Sequence, residues 1–265
     1  MPGLEKALQV AVHAATAAGE ILRAGLSDPN KGEAAKTHAN DPVTEYDRRA
    51  DEAIAAALTA GVPDVPILSE EGDGTARAAP RRWVVDPLDW TNNFVRSLPH
   101  ISVSIALVEG SESVVACIRD PLRNETFTAI RGRGARLGET PLAVTRRPTL
   151  DGAAVGVGVS HRVDRREETH AVLPALYPAV RLLRVSGSAA LDLAYVAAGR
   201  LDAVWYVSLG TWDVAAGRLL VSEAGGAVTG LSGAPLIEPD RQGVLATNGA
   251  LHAAMLDTLH RNPPS

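Results

Sequence analysis

Residues 83–94 read Trp-Val-Val-Asp-Pro-Leu-Asp-Trp-Thr-Asn-Asn-Phe, an apolar run that ends in two closely spaced aspartates. Trp83, Val84 and Val85 predict a buried strand; Pro87 lacks the N–H a ladder needs and is expected to stop it, with Asp89 on a tight turn. Asp86 and Asp89 are thereby set at one strand end, facing a common space. Residues 90–93 predict a helical turn whose first N–H groups face the same space, a cradle for phosphate. The competing reading gives Asp89 only the work of capping that turn.

Working outward, three further acidic segments follow apolar or helical patterns. Ser69-Glu70-Glu71-Gly72 ends another apolar run, and in isolation it reads equally as a solvated loop. Asp213 in TWDVAAG opens a predicted helix, where an acid also complements the helix dipole. Asp47 closes the stretch Thr44-Glu45-Tyr46-Asp47, which fits a capping box. If Asp47, Glu70, Asp86, Asp89 and Asp213 converge, their repulsion needs relief, since two charges about 4 Å apart cost roughly 4 kcal/mol at an effective dielectric near 20. Divalent cations supply it. An all-oxygen set without His or Cys favours Mg²⁺ or Mn²⁺ over Zn²⁺, and paired ions about 3.5–4 Å apart suit displacement at phosphorus.

Around these segments the pattern changes once. Helical periodicity covers Leu4 to Leu26 and Thr44 to Thr59, with a polar loop through Asn40 between them. Short β-branched runs at Pro66–Ser69, Trp83–Val85, Ile101–Val108, Ser113–Ile118 and Glu125–Ile130 then predict a largely antiparallel sheet. After Pro148 the rhythm alternates: strand Ala153–Val159, helix Val163–Leu176, strand Val180–Val185, helix Ser188–Ala198, strand Leu201–Val207, helix Thr211–Glu223. Two short strands and a helix from Gly249 complete it. The expectation is an α/β protein, with an α+β half over residues 1–148 and an α/β half over 149–265, rigidly packed together.

The 265 residues carry 46% hydrophobic and only 4% aromatic side chains, so the core is expected to be aliphatic and closely layered. A net charge of −5 offers no basic field for nucleic acid or an anionic membrane. The first helix carries Glu5 and Lys6 early and reads as amphipathic rather than as a signal peptide. No run approaches the roughly 20 apolar residues that span a bilayer. Cys117 is single, which excludes an internal disulfide and fits a cytoplasmic protein.

Taken together, Lys36 before DPVTEYD, then SEEG, DPLDWTNNF, GSAALDLAYVAAGRLDAVW, TWDVAAG and SEAGG resemble the inositol monophosphatase family of lithium-sensitive phosphatases, in that family's order and over nearly the whole chain. The resemblance implies a layered αβαβα sandwich of the inositol monophosphatase and fructose-1,6-bisphosphatase type. It implies a homodimer and hydrolysis of a small polyol phosphomonoester with two or three Mg²⁺ ions. Glu70, Asp86 and the Leu88 carbonyl would hold one ion, and Asp86, Asp89 and Asp213 a second. Thr91, oriented by Asp47, would share with Glu70 the activation of a water for in-line attack. The amides of Trp90 and Thr91 would bind phosphate, and Gly187, Ser188 and Ala189 would contact substrate hydroxyls.

Two departures stand out. Trp90 occupies a position that is usually Gly in the family, and Tyr206 one where inositol-type relatives carry a substrate-binding Glu. Inositol preference therefore does not follow from the resemblance. Histidinol phosphate, a sugar phosphate and 3′-phosphoadenosine 5′-phosphate are alternative substrates, and a catalytically silent interaction protein is the alternative of another class.

Overall fold

The computed structural model describes residues 3–35, 42–159 and 165–261. Lys36, His38, Asp41 and His161 lie outside the described residues. The elements in chain order are α1 (Leu4–Gly25), β1 (Ala34–Ala35), β2 (Pro42–Val43), α2 (Glu45–Gly61), β3 (Ile67–Ser69), β4 (Arg81–Asp89), α3 (Thr91–Val95), β5 (Ser102–Glu109), β6 (Glu112–Asp120) and β7 (Glu125–Ile130). They continue with β8 (Ala135–Leu137), β9 (Thr140–Pro141), β10 (Ala154–Val157), α4 (Arg166–Leu176), β11 (Leu182–Arg184), α5 (Ala189–Ala197), β12 (Ala203–Tyr206) and α6 (Thr211–Glu223). The chain closes with β13 (Ala227–Thr229), α7 (Pro239–Gln242), β14 (Val244–Thr247) and α8 (His252–Arg261).

Strands β3 to β9 form one sheet in sequence order, with β3 and β4 parallel and every later pair antiparallel. Alternation along β4 sorts its faces: Trp83 and Val85 pack on α1 and α2, while Val84 faces the other way. The outer helix α1 approaches closely because its buried stripe is mostly alanine, Ala7, Ala11, Ala14, Ala15 and Ala18. A second sheet, β11-β10-β12-β14-β13, mixes parallel and antiparallel pairs.

Helices α5 and α6 lie between the two sheets, sharing one buried cluster with Val84 and Ala106 of the first and Val204 and Ala246 of the second. Burial from both sides explains why α5 is apolar nearly all round. Gly217 permits the α5–α6 crossing, since a Cβ there would lie 2.5 Å from Leu193 Cβ. Helices α4 and α8 cover the outer face of the second sheet through Val172, Leu176, Met255 and Leu259. The result is the expected five-layer αβαβα sandwich. Among the described residues, no helix is long and apolar enough to cross a membrane.

The structure corrects several local expectations. Pro87 does not end the strand: β4 pairs Asp86 with Ser104, skips, and pairs Asp89 with Ser102, so the proline sits in an irregularity rather than at a stop. The short pieces β8, β9 and α7 had no periodicity long enough to read. Helix α4 is described from Arg166, and the expected start at Val163 lies outside the described residues.

Candidate active site

The irregularity in β4 brings two carboxylates to one place. The Leu88 N–H donates to Asp86 Oδ1 at 3.0 Å, curling the intervening residues so that Asp86 and Asp89 stand at the same edge. Asp213 arrives from the first turn of α6, its Oδ2 accepting the Gly210 N–H at 2.7 Å. Ligand-capable oxygens of Asp86, Asp89 and Asp213 all lie within 4.8 Å of one another. Glu70 follows β3, where its N–H donates to the Val85 carbonyl at 3.0 Å, beside Asp86. All four line one cavity of about 340 Å³, together with Leu88, Trp90, Thr91, Gly187, Ala189 and Tyr206.

Each oxygen of Asp89 has a separate surrounding. Oδ2 accepts from the Ser188 hydroxyl at 2.5 Å, the Ala190 N–H at 2.8 Å and the Ser102 hydroxyl at 3.3 Å. Among the described residues those donors satisfy one oxygen from behind and hold the carboxylate in orientation. Burial nevertheless pushes the Asp89 carboxyl up, against the pull of Ser188 and Ala190. Asp213 is pushed well above the ordinary carboxylate range, by burial first and then by the charges of Asp89 and Glu70. Oxygen-only, mutually repelling, and with Asp86 and Asp89 buried while Asp213 and Glu70 are partly exposed, the set fits a hard divalent cation.

Asp47 serves two elements. Its Oδ2 accepts from the Thr44 N–H at 2.7 Å and the Thr44 hydroxyl at 2.5 Å, closing the capping box of α2. Its Oδ1 accepts the Thr91 hydroxyl at 2.8 Å. Capping and orientation of Thr91 therefore coexist.

Trp90 has φ +72°, the left-handed conformation that glycine adopts freely and other residues rarely. Its ring lies against Gly187, where a Cβ would come within 2.3 Å of Nε1. Gly187 itself has φ +105°. Asn93 ties the two segments together, donating to the carbonyls of His100 at 2.7 Å and Ser186 at 3.0 Å.

Two residues expected at the substrate have protein partners. Ser188 is fully buried and its hydroxyl donates to Asp89. Tyr206 lines the cavity, but its hydroxyl donates to Asp192 at 2.7 Å. Burial, then the Asp192 charge, raises that phenol well above its ordinary range. Sequence reasoning missed Ser102 and Asp192. A serine in the apolar run ISVSIALV and an aspartate in ALDLAYV were the available signals, each a polar group that needs a partner when buried.

The sequence pattern of the inositol monophosphatase family matches residues 3–263. The chain is 39% identical over 270 residues to the Nus factor SuhB of Pseudomonas aeruginosa, covering 99% of both proteins. Among solved structures, the extragenic suppressor protein suhB of Bartonella henselae superposes with a TM-score of 0.90 at 34% identity, covering 96% of this chain and 98% of that one. The inositol monophosphatase of Anabaena (Nostoc) sp. gives 0.88 at 32% identity over 98% of each chain.

Proposed function

The chain belongs to the inositol monophosphatase family, and from that premise we propose that it is a Mg²⁺-dependent phosphatase of small phosphomonoesters. The observation that carries this reading is the convergence of Asp86, Asp89 and Asp213 within 4.8 Å. Those three, with Glu70 and the Leu88 carbonyl, are the groups that would hold two or three ions, Mg²⁺ or Mn²⁺. Bound there, the ions would supply positive charge to the phosphoryl oxygens during in-line displacement.

The protein's own groups would place the reactants. The Thr91 hydroxyl donates its hydrogen bond to Asp47, which would leave the Thr91 lone pairs to accept a hydrogen bond from the attacking water. Glu70, in the same cavity, would take the proton that water loses. The N–H groups of Trp90 and Thr91 would bind phosphate oxygens, and Gly187 and Ala189 would form the floor beneath the alcohol portion. A homodimer working in the cytoplasm is part of the same reading, and sedimentation velocity checks the assembly.

The name Nus factor, borne by relatives with this degree of similarity, favours a second reading: an interaction protein whose carboxylates bind metal without turnover. Phosphate release from a panel of phosphomonoesters separates the two. Turnover that requires Mg²⁺ supports the phosphatase; a folded, Mg²⁺-binding protein that releases no phosphate supports the interaction protein.

A further inference from the structure

Beyond its carboxylates, the cavity is walled by apolar groups. The neighbours of Asp89 and Asp213 in the chain, Trp90 and Trp212, both line it, as do Val159 and Leu209. Each indole is seated on a glycine: a Cβ on Gly187 would fall 2.3 Å from Trp90 Nε1, and one on Gly210 would fall 2.6 Å from Trp212 Cε2. The tryptophans are therefore fixed parts of the wall, packed where no larger residue fits.

The polar groups nearby are engaged elsewhere. The hydroxyls of Ser188, Tyr206 and Ser208 donate to Asp89, Asp192 and the Asp240 carbonyl respectively. Charge in the lining has one sign: among the described residues its ionisable groups are Glu70, Asp86, Asp89, Asp213, Asp240 and the Tyr206 phenol, with no Lys or Arg. A pair of divalent ions would balance four of those carboxylates and leave Asp240. From the described lining groups, a second phosphate or carboxylate on the substrate would meet repulsion.

The geometry points to a substrate whose alcohol portion carries a flat apolar ring, neutral or positively charged, in place of a ring of hydroxyls or a second anionic group. Indole faces receive such a ring by offset stacking and a cation by its quadrupole, and Asp240 adds Coulombic attraction for the cation. This rests on the phosphatase reading above and specifies its substrate class. Trp90 is then the specificity-determining residue, acting through ground-state contact with the alcohol portion.

The test compares kcat/KM, with saturating Mg²⁺, for 2-phenylethyl phosphate, its para-aminomethyl analogue, inositol 1-phosphate and an inositol bisphosphate. Both aromatic esters should exceed inositol 1-phosphate, chiefly through KM, and the bisphosphate should be poorest. Trp90→Gly should shrink the aromatic advantage by about three- to tenfold, the worth of one aromatic contact, whereas Trp90→Phe should keep most of it. Preference for inositol 1-phosphate or the bisphosphate, or an unchanged ratio in Trp90→Gly, would overturn this inference and leave the phosphatase standing. Absence of turnover with every ester, in folded protein that binds Mg²⁺, would overturn both.

Discussion

Asp89 shows how one side chain joins folding to chemistry. Three donors from β5 and the start of α5 converge on its Oδ2, so the carboxylate is held in place before any cation arrives. Asp89→Asn keeps an oxygen for those donors and removes a buried charge beside Asp213. In Mg²⁺-free buffer its unfolding midpoint should hold or rise. Mg²⁺ should stabilise the wild type by about 2.7 kcal/mol at a hundredfold excess over Kd and the variant by much less, as thermal unfolding with and without Mg²⁺ will show. Equal Mg²⁺ stabilisation of both would remove Asp89 from the metal site.

Trp90 and Gly187 form a second pair that must be read together. Gly187 combines φ +105° with an indole 2.3 Å from the site of its absent Cβ. Gly187→Ala should therefore destabilise by about 2–4 kcal/mol, part backbone strain and part overlap. Only the overlap depends on Trp90. The double variant Trp90→Gly/Gly187→Ala should recover that share, so that urea unfolding of the four proteins gives a non-additive cycle. Strict additivity would mean that the indole does not rest on Gly187 in solution.

At the scale of elements, Asp47 separates capping from catalysis. Thr44→Ala removes the cap hydroxyl and should cost about 1 kcal/mol of stability, while leaving Asp47 Oδ1 to orient Thr91. Asp47→Ala should cost at least as much and also lower kcat by about a hundredfold or more. Chemical denaturation paired with initial rates distinguishes them, and equal kcat losses would mean that Asp47 acts only as a cap.

Elements with long periodicity were legible in the sequence. Residues 211–223 read as a helix and are one, because the apolar repeat runs unbroken from Thr211 to Glu223. The carboxylates were legible because each sits at an element boundary, where a charged residue after an apolar run is conspicuous. Pro87 misled because the loss of one N–H looks like a strand end, whereas β5 tolerates a skipped pair and resumes at Asp89. The partners of Ser188 and Tyr206 were not legible for another reason. A hydroxyl carries no mark in the sequence of whether it faces substrate or a buried carboxylate; the start of α5 beside β4 gives Ser188 its partner Asp89, and α5 against β12 gives Tyr206 its partner Asp192.

Across the whole molecule, the carboxylate cluster draws Glu70, Asp86 and Asp89 from β4 and the end of β3 in the first sheet, and Asp213 from a helix of the shared middle layer. These carboxylates therefore converge only when the first sheet is packed on α6. Cys117, in β6, lies on the opposite face of that sheet and reports on its packing against α1 and α2. Burial pushes its thiol from 9.0 up to about 12, so the folded protein should resist alkylation at pH 8 and react upon unfolding. The sign of the linkage follows: stability is undiminished below about pH 9, where the unfolded thiol is still protonated, and falls as pH rises towards 12. Rapid alkylation under native conditions would show that the first sheet opens readily.

The most direct measurement is the initial rate of phosphate release from a turned-over phosphomonoester, taken in excess EDTA, after Mg²⁺ is restored, and in Asp213→Asn under the same conditions. Chelation should abolish turnover, Mg²⁺ should restore it, and Asp213→Asn should remain inactive although folded. Full turnover in EDTA, or wild-type turnover by Asp213→Asn, would contradict a metal-carboxylate phosphatase.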